Sequence, residues 1–180
     1  MAKKDHYLLL LILDLMNSLG PAQIYTKINL KNAYHLVCIA EGDKPKTAFC
    51  TQYRSYEWQV MPFGLRNALV AFQRFINDIL GDLLDICTMG YLDDILIYSE
   101  SLDAHKDHVR EVLHQLRKVG LYMNPKKCKF HTDTVEYLGF ILSPEGLIMD
   151  PSKVSAIQDW LEPYNIQDIQ SFLGFANFYC

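Results

Sequence analysis

Two adjacent acids, Asp93 and Asp94, close the stretch Tyr91-Leu92-Asp93-Asp94, which sits between the apolar runs 85–89 and 95–98. Short apolar runs on either side of a polar pair read as two strands of a tight hairpin. Two-residue hairpin turns favour Asn-Gly or Asp-Gly, because both central positions take positive φ. Asp-Asp suits that geometry badly, and its two charges repel each other. A lone acidic pair is more often a solvated turn than a ligand. Here the flanking strands would be buried and would hold the turn rigidly, so the pair makes sense once a cation neutralises it. Mg²⁺ is the natural candidate, since it binds through a few carboxylates together with substrate phosphates.

Phosphoryl transfer with two metal ions needs a further carboxylate from another part of the chain. The end of the strand Thr26-Lys27-Ile28 is the obvious supplier. The residue there is Asn29, and no Asp or Glu lies between Asp14 and Glu41. The residues alone describe a half-built metal site.

A chain of 180 residues, half of them hydrophobic, is long enough for one domain with its own core. Its five cysteines form no CxxC pair, which argues against zinc or a disulfide framework and for a reducing, intracellular setting. The net charge of −4 conceals a basic block, with seven Lys/Arg against two acids in residues 106–129. Such a block hints at a polyanionic partner, although a solvated helix face would look the same. The apolar run 8–13 is interrupted by Asp14 and is too short to cross a bilayer, so it reads as a helix and no membrane is expected.

Strands are expected at 24–28, 36–39, 47–50 and 57–60, and a helix from Asn67 to about residue 84. The hairpin around Asp93-Asp94 follows, then a helix capped by Asp103 and stopped at Gly120. A second hairpin is expected from 135–142 and 147–149, then helices from Pro151 through Trp160 and over 166–179. This order favours an α+β fold, an antiparallel sheet covered by helices on one face. His105 and His108 lie three apart without a third ligand and read as solvated. Cys128-Lys129-Phe130-His131 is equally unconvincing as a zinc half-site.

Several segments follow one another in a telling order. They are residues 26–35 (TKINLKNAYH), Met61-Pro62-Phe63-Gly64-Leu65, Ala71-Phe72-Gln73, residues 91–99 (YLDDILIYS) and Tyr137-Leu138-Gly139-Phe140. Together they closely resemble the reverse transcriptase of gypsy-type LTR retrotransposons over essentially the whole chain. The resemblance implies a right-hand polymerase: palm with partial fingers over residues 1–163 and the start of the thumb over 164–180. It implies RNA-directed DNA synthesis with two Mg²⁺ ions, deoxynucleotides, and an RNA or DNA template carrying a primer.

By the same resemblance, Asp93 and Asp94 are metal-binding catalytic carboxylates, and Asn29 occupies the place of the family's first metal-binding aspartate. Tyr34 matches the aromatic gate beneath the incoming sugar. Phe63, Gly64 and Gln73 match segments lining the nucleotide and template site, and Tyr137, Leu138 and Gly139 match the hairpin that grips the primer end. Lys126, Lys127 and Lys129 would face a phosphate backbone. Tyr34 and Phe63 read equally well as core aromatics, and Gln73 as a polar face residue.

The departures from the family carry the sharper expectation. Asn29 is nearly isosteric with aspartate, but it is neutral and its NH₂ cannot ligate a metal, so transfer should slow by orders of magnitude. Leu8, Leu69 and Leu161 stand where the family tends to have proline, and Cys38, Cys50 and Cys180 where it tends to have arginine. Arg54 stands for glycine and Val70 for alanine. All of these, with Asn29, are reachable by single C→T changes on one strand or the other, as in an element decaying by cytosine deamination. The chain would then be a truncated, impaired copy lacking the rest of a pol polyprotein. The alternatives are a non-catalytic nucleic-acid-binding module or a functionless relic.

Overall fold

β1 (Ile24–Lys31) is the centre of the molecule, and its side chains are buried or half-buried on both faces up to the exposed Lys31. The computed structural model describes residues 19–179, so the expected helix over the run 8–13 and Cys180 lie outside the described residues. On one side β1 pairs antiparallel with β5 (Asp94–Ser99), which pairs in turn with β4 (Thr88–Tyr91). On its other side β1 pairs with β6 (Tyr122–Met123) and, through an irregular register, with β7 (Lys129–Thr132).

Two helices cover one face of this sheet, as the sequence predicts. Phe72, Ile76 and Leu80 of α1 (Ala68–Leu80) and Val112 and Leu116 of α2 (Leu102–Lys118) pack on Ile28, Leu30, Ile95 and Ile97. The opposite face is also buried, under a three-stranded meander of β8 (Val135–Tyr137), β9 (Phe140–Ser143) and β10 (Gly146–Met149). Val135, Tyr137 and Leu142 of the meander meet Tyr25, Met89, Leu96 and Tyr98 there. Burial on both faces explains why residues 95–98 of β5 form an unbroken run of Ile, Leu, Ile and Tyr rather than alternating with polar residues. Each fully buried aliphatic side chain contributes about 1.5–3 kcal/mol.

The remaining differences from expectation have local causes. Residues 36–39 are not a strand: a 3-10 turn, Ala33–Leu36, replaces it after Asn32 takes φ +53°, leaving one bridge between Cys38 and Val60. β2 (Phe49–Cys50) and β3 (Ser55–Tyr56) form a shorter hairpin, because Thr51 Oγ1 accepts from the backbone N–H of Tyr53 and Arg54 and turns the chain early. Residues 135–142 are two strands rather than one, broken by Leu138 (φ +51°) and Gly139 (φ +84°), the sign pattern of a type I′ turn. Ser101, not Asp103, caps α2, its hydroxyl accepting from Ala104 N. α3 (Pro151–Gln158) stops short of Trp160, and α4 (Ile166–Tyr179) falls where expected.

Candidate active site at the end of the central strand

The pairing of β1 with β5 sets Asn29 directly opposite Asp94. Asn29 Nδ2 donates to Asp94 Oδ1 at 2.8 Å, and Lys27 Nζ stands 3.5 Å from Asp94 Oδ2. Both carboxylate oxygens of Asp94 are thus engaged by neighbours on β1. Tyr137 supports the same residue from below, its hydroxyl lying 3.2 Å from Asp94 O and 3.4 Å from Met89 O. Lys27 Nζ sits 6.0 Å above the Tyr137 ring, so the ammonium has an aromatic face as well as a carboxylate.

The hairpin turn is Leu92-Asp93, not Asp93-Asp94, because Asp94 already pairs with Tyr91 as the first residue of β5. Leu92 takes φ +52°, a conformation that costs a branched L-residue about 1–2 kcal/mol. Gln73 of α1 holds it there. Its Oε1 accepts from Leu92 N at 2.9 Å, while its Nε2 donates to Gly90 O and to Asn77 Oδ1, each at 2.8 Å. The turn is pinned a second time where Leu30 N donates to Asp93 O at 2.7 Å. Asp93 is left with Oδ1 buried and without a hydrogen-bond partner. Burial, and secondarily the charge of Asp94, raise its carboxyl above the ordinary range, with Lys127 opposing.

Asp93 also borders a cleft of about 250 Å³ shared with Asn29, Tyr34, Phe63, Asn124 and Lys127. Tyr34 is buried and stacks on Phe72 at 4.2 Å, and the exposed Phe63 leans on it at 4.9 Å. Gly64 (φ +91°) turns the chain beside Phe63 outside that cleft. Gln73 is buried beneath the turn, and its amide bonds to Asn77 and to the hairpin backbone. Tyr137 is fully buried, which leaves Leu138 and Gly139 at the turn as the half-exposed part of that trio.

Sequence reasoning gave no site role to Lys27 or Asn124 and weighed Cys128 only as part of a zinc half-site. Asn124 N donates to Asn29 O at 2.8 Å, and Cys128 Sγ accepts from Asn29 N at 3.4 Å. A lysine between Tyr25 and Asn29 on one face of β1, inside the strand rather than at its exposed end Lys31, was the available signal for Lys27. His105 is the reverse case: expected in solvent, it is fully buried beneath β5.

Residues 2–142 match the family described as "Reverse transcriptase (RNA-dependent DNA polymerase)". The chain belongs to the reverse transcriptase family. Its relatives include the retrovirus-related Pol polyprotein from transposon gypsy of Drosophila melanogaster, 39% identical over 97% of this chain and 17% of that protein. The Tf2-3 transposon polyprotein of Schizosaccharomyces pombe is 37% identical over 98% of this chain and 13% of its own length. This places the chain among gypsy-type reverse transcriptases, and it spans less than a fifth of the relatives it matches. The fold agrees: foamy viral protease–reverse transcriptase in complex with RNA/DNA hybrid superposes with a TM-score of 0.81 at 23% identity, covering 98% of this chain and 24% of that one.

Reverse transcriptases use divalent metal in general, so the site can be tested for fit. The orphaned Asp93 Oδ1 and the mutual repulsion of the two acids would suit a cation. The Asn29 NH₂ and the Lys27 ammonium, both turned on Asp94, would not. Among the described residues no group of three or more His, Cys, Asp or Glu is arranged to hold a metal. As arranged here, these residues do not fit a pair of metal ions. No helix among the described residues is long and apolar enough to cross a membrane.

Proposed function

We propose that this chain is the palm and partial fingers of a retrotransposon reverse transcriptase that retains the surface for primer and template but transfers nucleotides poorly. The observation that carries the reading is the 2.8 Å bond from Asn29 Nδ2 to Asp94 Oδ1. A third carboxylate at that position would add a negative charge and a metal ligand. An amide there adds neither, and instead contributes a donor that neutralises Asp94 internally. Removing one preorganised electrostatic group from an active site costs on the order of a hundredfold in rate or more. Two Mg²⁺ ions, deoxynucleotides and a primed template are the family's requirements, and the first of these is the one the site meets least well.

What this chain's own residues would still do is bind and orient. Tyr34 and Phe63 wall the cleft beside Asp93, where a sugar and base would lie. Leu138-Gly139 offers a rigid turn for the primer end. Lys126, Lys127 and Lys129 give sequence-independent contacts to phosphates, which are salt-sensitive through counterion release. The solved foamy viral relatives hold RNA/DNA hybrid and double-stranded DNA, in keeping with a duplex ligand for this chain.

Primer extension tests the reading directly. The chain and its Asn29→Asp variant are compared with Mg²⁺ or Mn²⁺, each placed within a full-length reverse transcriptase of the family. The variant is expected to extend primers at least about a hundredfold faster. Equal rates for the two proteins would end this account of the site. A second reading, a non-catalytic nucleic-acid-binding module, is favoured by the internal neutralisation of Asp94 by Lys27. Salt-dependent binding of primer–template with no nucleotide addition by either protein would select it.

A further inference from the structure

A cavity of about 820 Å³ is lined by the 3-10 helix Glu41–Thr47, the segment before it and the first turn of α1. It shares no lining residue with the cleft beside Asp93. Its walls are mostly apolar, made by Val37, Ile39, Met61, Leu65, Ala68 and Ala71. Met61 and Ala68 are buried members of the core between helices and sheet, so the cavity reaches down to that core. The walls are braced from within the chain. Met61 N donates to Val37 O at 2.8 Å and Ile39 N to Gln59 O at 3.1 Å, which clamps one wall. Thr47 Oγ1 donates to Lys44 O at 2.7 Å and accepts from Trp58 N at 2.9 Å, which fastens the 3-10 helix. Small-molecule sites take this form: a cleft of roughly 300–1,000 Å³ with apolar walls and a few polar groups.

The charged residues on the lining narrow the ligand. Lys46 and Arg66 face it against one acid, Asp43. Asp43 pairs with Lys46, but both side chains are exposed, and such a pair contributes little. Lysine and arginine each carry several N–H donors, so a partner in place leaves donors over for a ligand's oxygens. A divalent cation is poorly served by a single acid that already has a lysine. A polyphosphate is poorly served by walls that offer its oxygens no hydrogen bonds. We propose that this cavity binds a small monoanionic amphiphile, an apolar body carrying one carboxylate or sulfonate head. The body lies over Met61, Ala68 and Ala71, and the head meets Lys46 and Arg66. Nothing in this inference depends on how well the chain transfers nucleotides.

The probe is 8-anilinonaphthalene-1-sulfonate, which has such a body and head and brightens on leaving water. It is titrated into the full chain, and its place is read from cysteine alkylation by iodoacetamide, followed by mass spectrometry. Cys38 lines the cavity and is exposed. Cys50 is also exposed but lies outside it on β2, next to the stacked Phe49 and Tyr56. With the probe at about ten times its dissociation constant, Cys38 should react about tenfold more slowly and Cys50 at its original rate. Lys46→Glu should weaken the probe by about tenfold or more, through loss of a charge-assisted contact. Its thermal melt should match the parent, since Lys46 is exposed, and the Cys38 footprint needs no variant at all. An unslowed Cys38 overturns the inference, as does protection of Cys50 in its place, which would put the probe on the aromatic hairpin. Equal binding by a folded Lys46→Glu overturns it too. Displacement of the probe by an RNA/DNA hybrid would assign the cavity to nucleic acid and count equally against it.

Discussion

Gln73 and Leu92 illustrate how much of this site depends on single side chains. Leu92 holds a left-handed conformation one residue before Asp93, and the Gln73 amide bonds to the backbone on both sides of the strain. Gln73→Ala leaves Leu92 N–H and Gly90 C=O buried without partners, each worth about 1–3 kcal/mol. The variant is expected to lose about 2–4 kcal/mol in urea denaturation; a loss under a few tenths would deny Gln73 this positioning role. None of this was legible in the sequence. Gln73 looked like a polar helix residue or a template contact, because its partner lies 19 positions away on a hairpin whose turn was placed one residue too late. Asn29 was legible, since an apolar strand leading into a polar end opposite two acids names its own position.

At the level of elements, α2 is tied to the sheet by a buried polar chain. His131 N donates to Thr26 Oγ1 at 3.1 Å, Thr26 Oγ1 lies 2.8 Å from His105 Nε2, and His105 Nδ1 lies 2.9 Å from Ser99 Oγ. Ser99 Oγ in turn lies 2.8 Å from His108 Nδ1. Running the donors in that order satisfies every group with a neutral His105. Burial first, then His131 and His108, push the His105 pKa down to about 4. Since the unfolded value is near 6.5, the unfolded chain takes up a proton first as pH falls. The contribution is complete above about pH 6.5 and is lost as pH drops toward 4, up to about 3 kcal/mol. Urea melts across that range should show the slope, and His105→Gln should flatten it; an unchanged slope in the variant would exclude His105 as its source.

The same helix–sheet contacts set Gly90. A Cβ there would lie 2.8 Å from Ile76 Cγ2 and 3.1 Å from Leu80 Cδ1, so α1 packs where only glycine fits. Gly90→Ala is expected to cost about 1–3 kcal/mol, and less in an Ile76→Ala background. Additive losses in the double variant would mean the clash is relieved elsewhere. The two helices and the Asp93 hairpin were readable from apolar periodicity, which reports burial against one face. The β9–β10 hairpin over the other face was expected, but its third strand β8 was not, because Leu138-Gly139 turns a run that reads as one continuous strand.

For the whole molecule, the proposed reading contrasts a fold shared with the family with a site changed at Asn29. Leu69, Leu161, Cys38, Cys50 and Arg54, the described positions other than Asn29 and the half-buried Val70 at which the sequence reading expects departures from the family, all lie on exposed positions. They leave both cores untouched, so the chain is expected to fold and to hold a primed duplex. Binding should weaken with salt, and each of Lys126→Gln and Lys127→Gln should lower the log–log salt slope by about one. A slope that both variants leave unchanged would remove this face from the duplex contact. Family and α+β architecture were legible because ordered motifs survive such surface changes. The inward turn of Lys27 on Asp94 was not, because cross-strand pairing is decided by register rather than by neighbours in sequence.

The central claim is that Asn29 has turned a metal-ion site into an internally neutralised one. Calorimetric titration of Mn²⁺ into the chain and into Asn29→Asp tests it most directly, without nucleotide or nucleic acid. The account predicts that Asn29→Asp binds Mn²⁺ at least about tenfold more tightly than the parent chain. Equal affinity in the two proteins would contradict it.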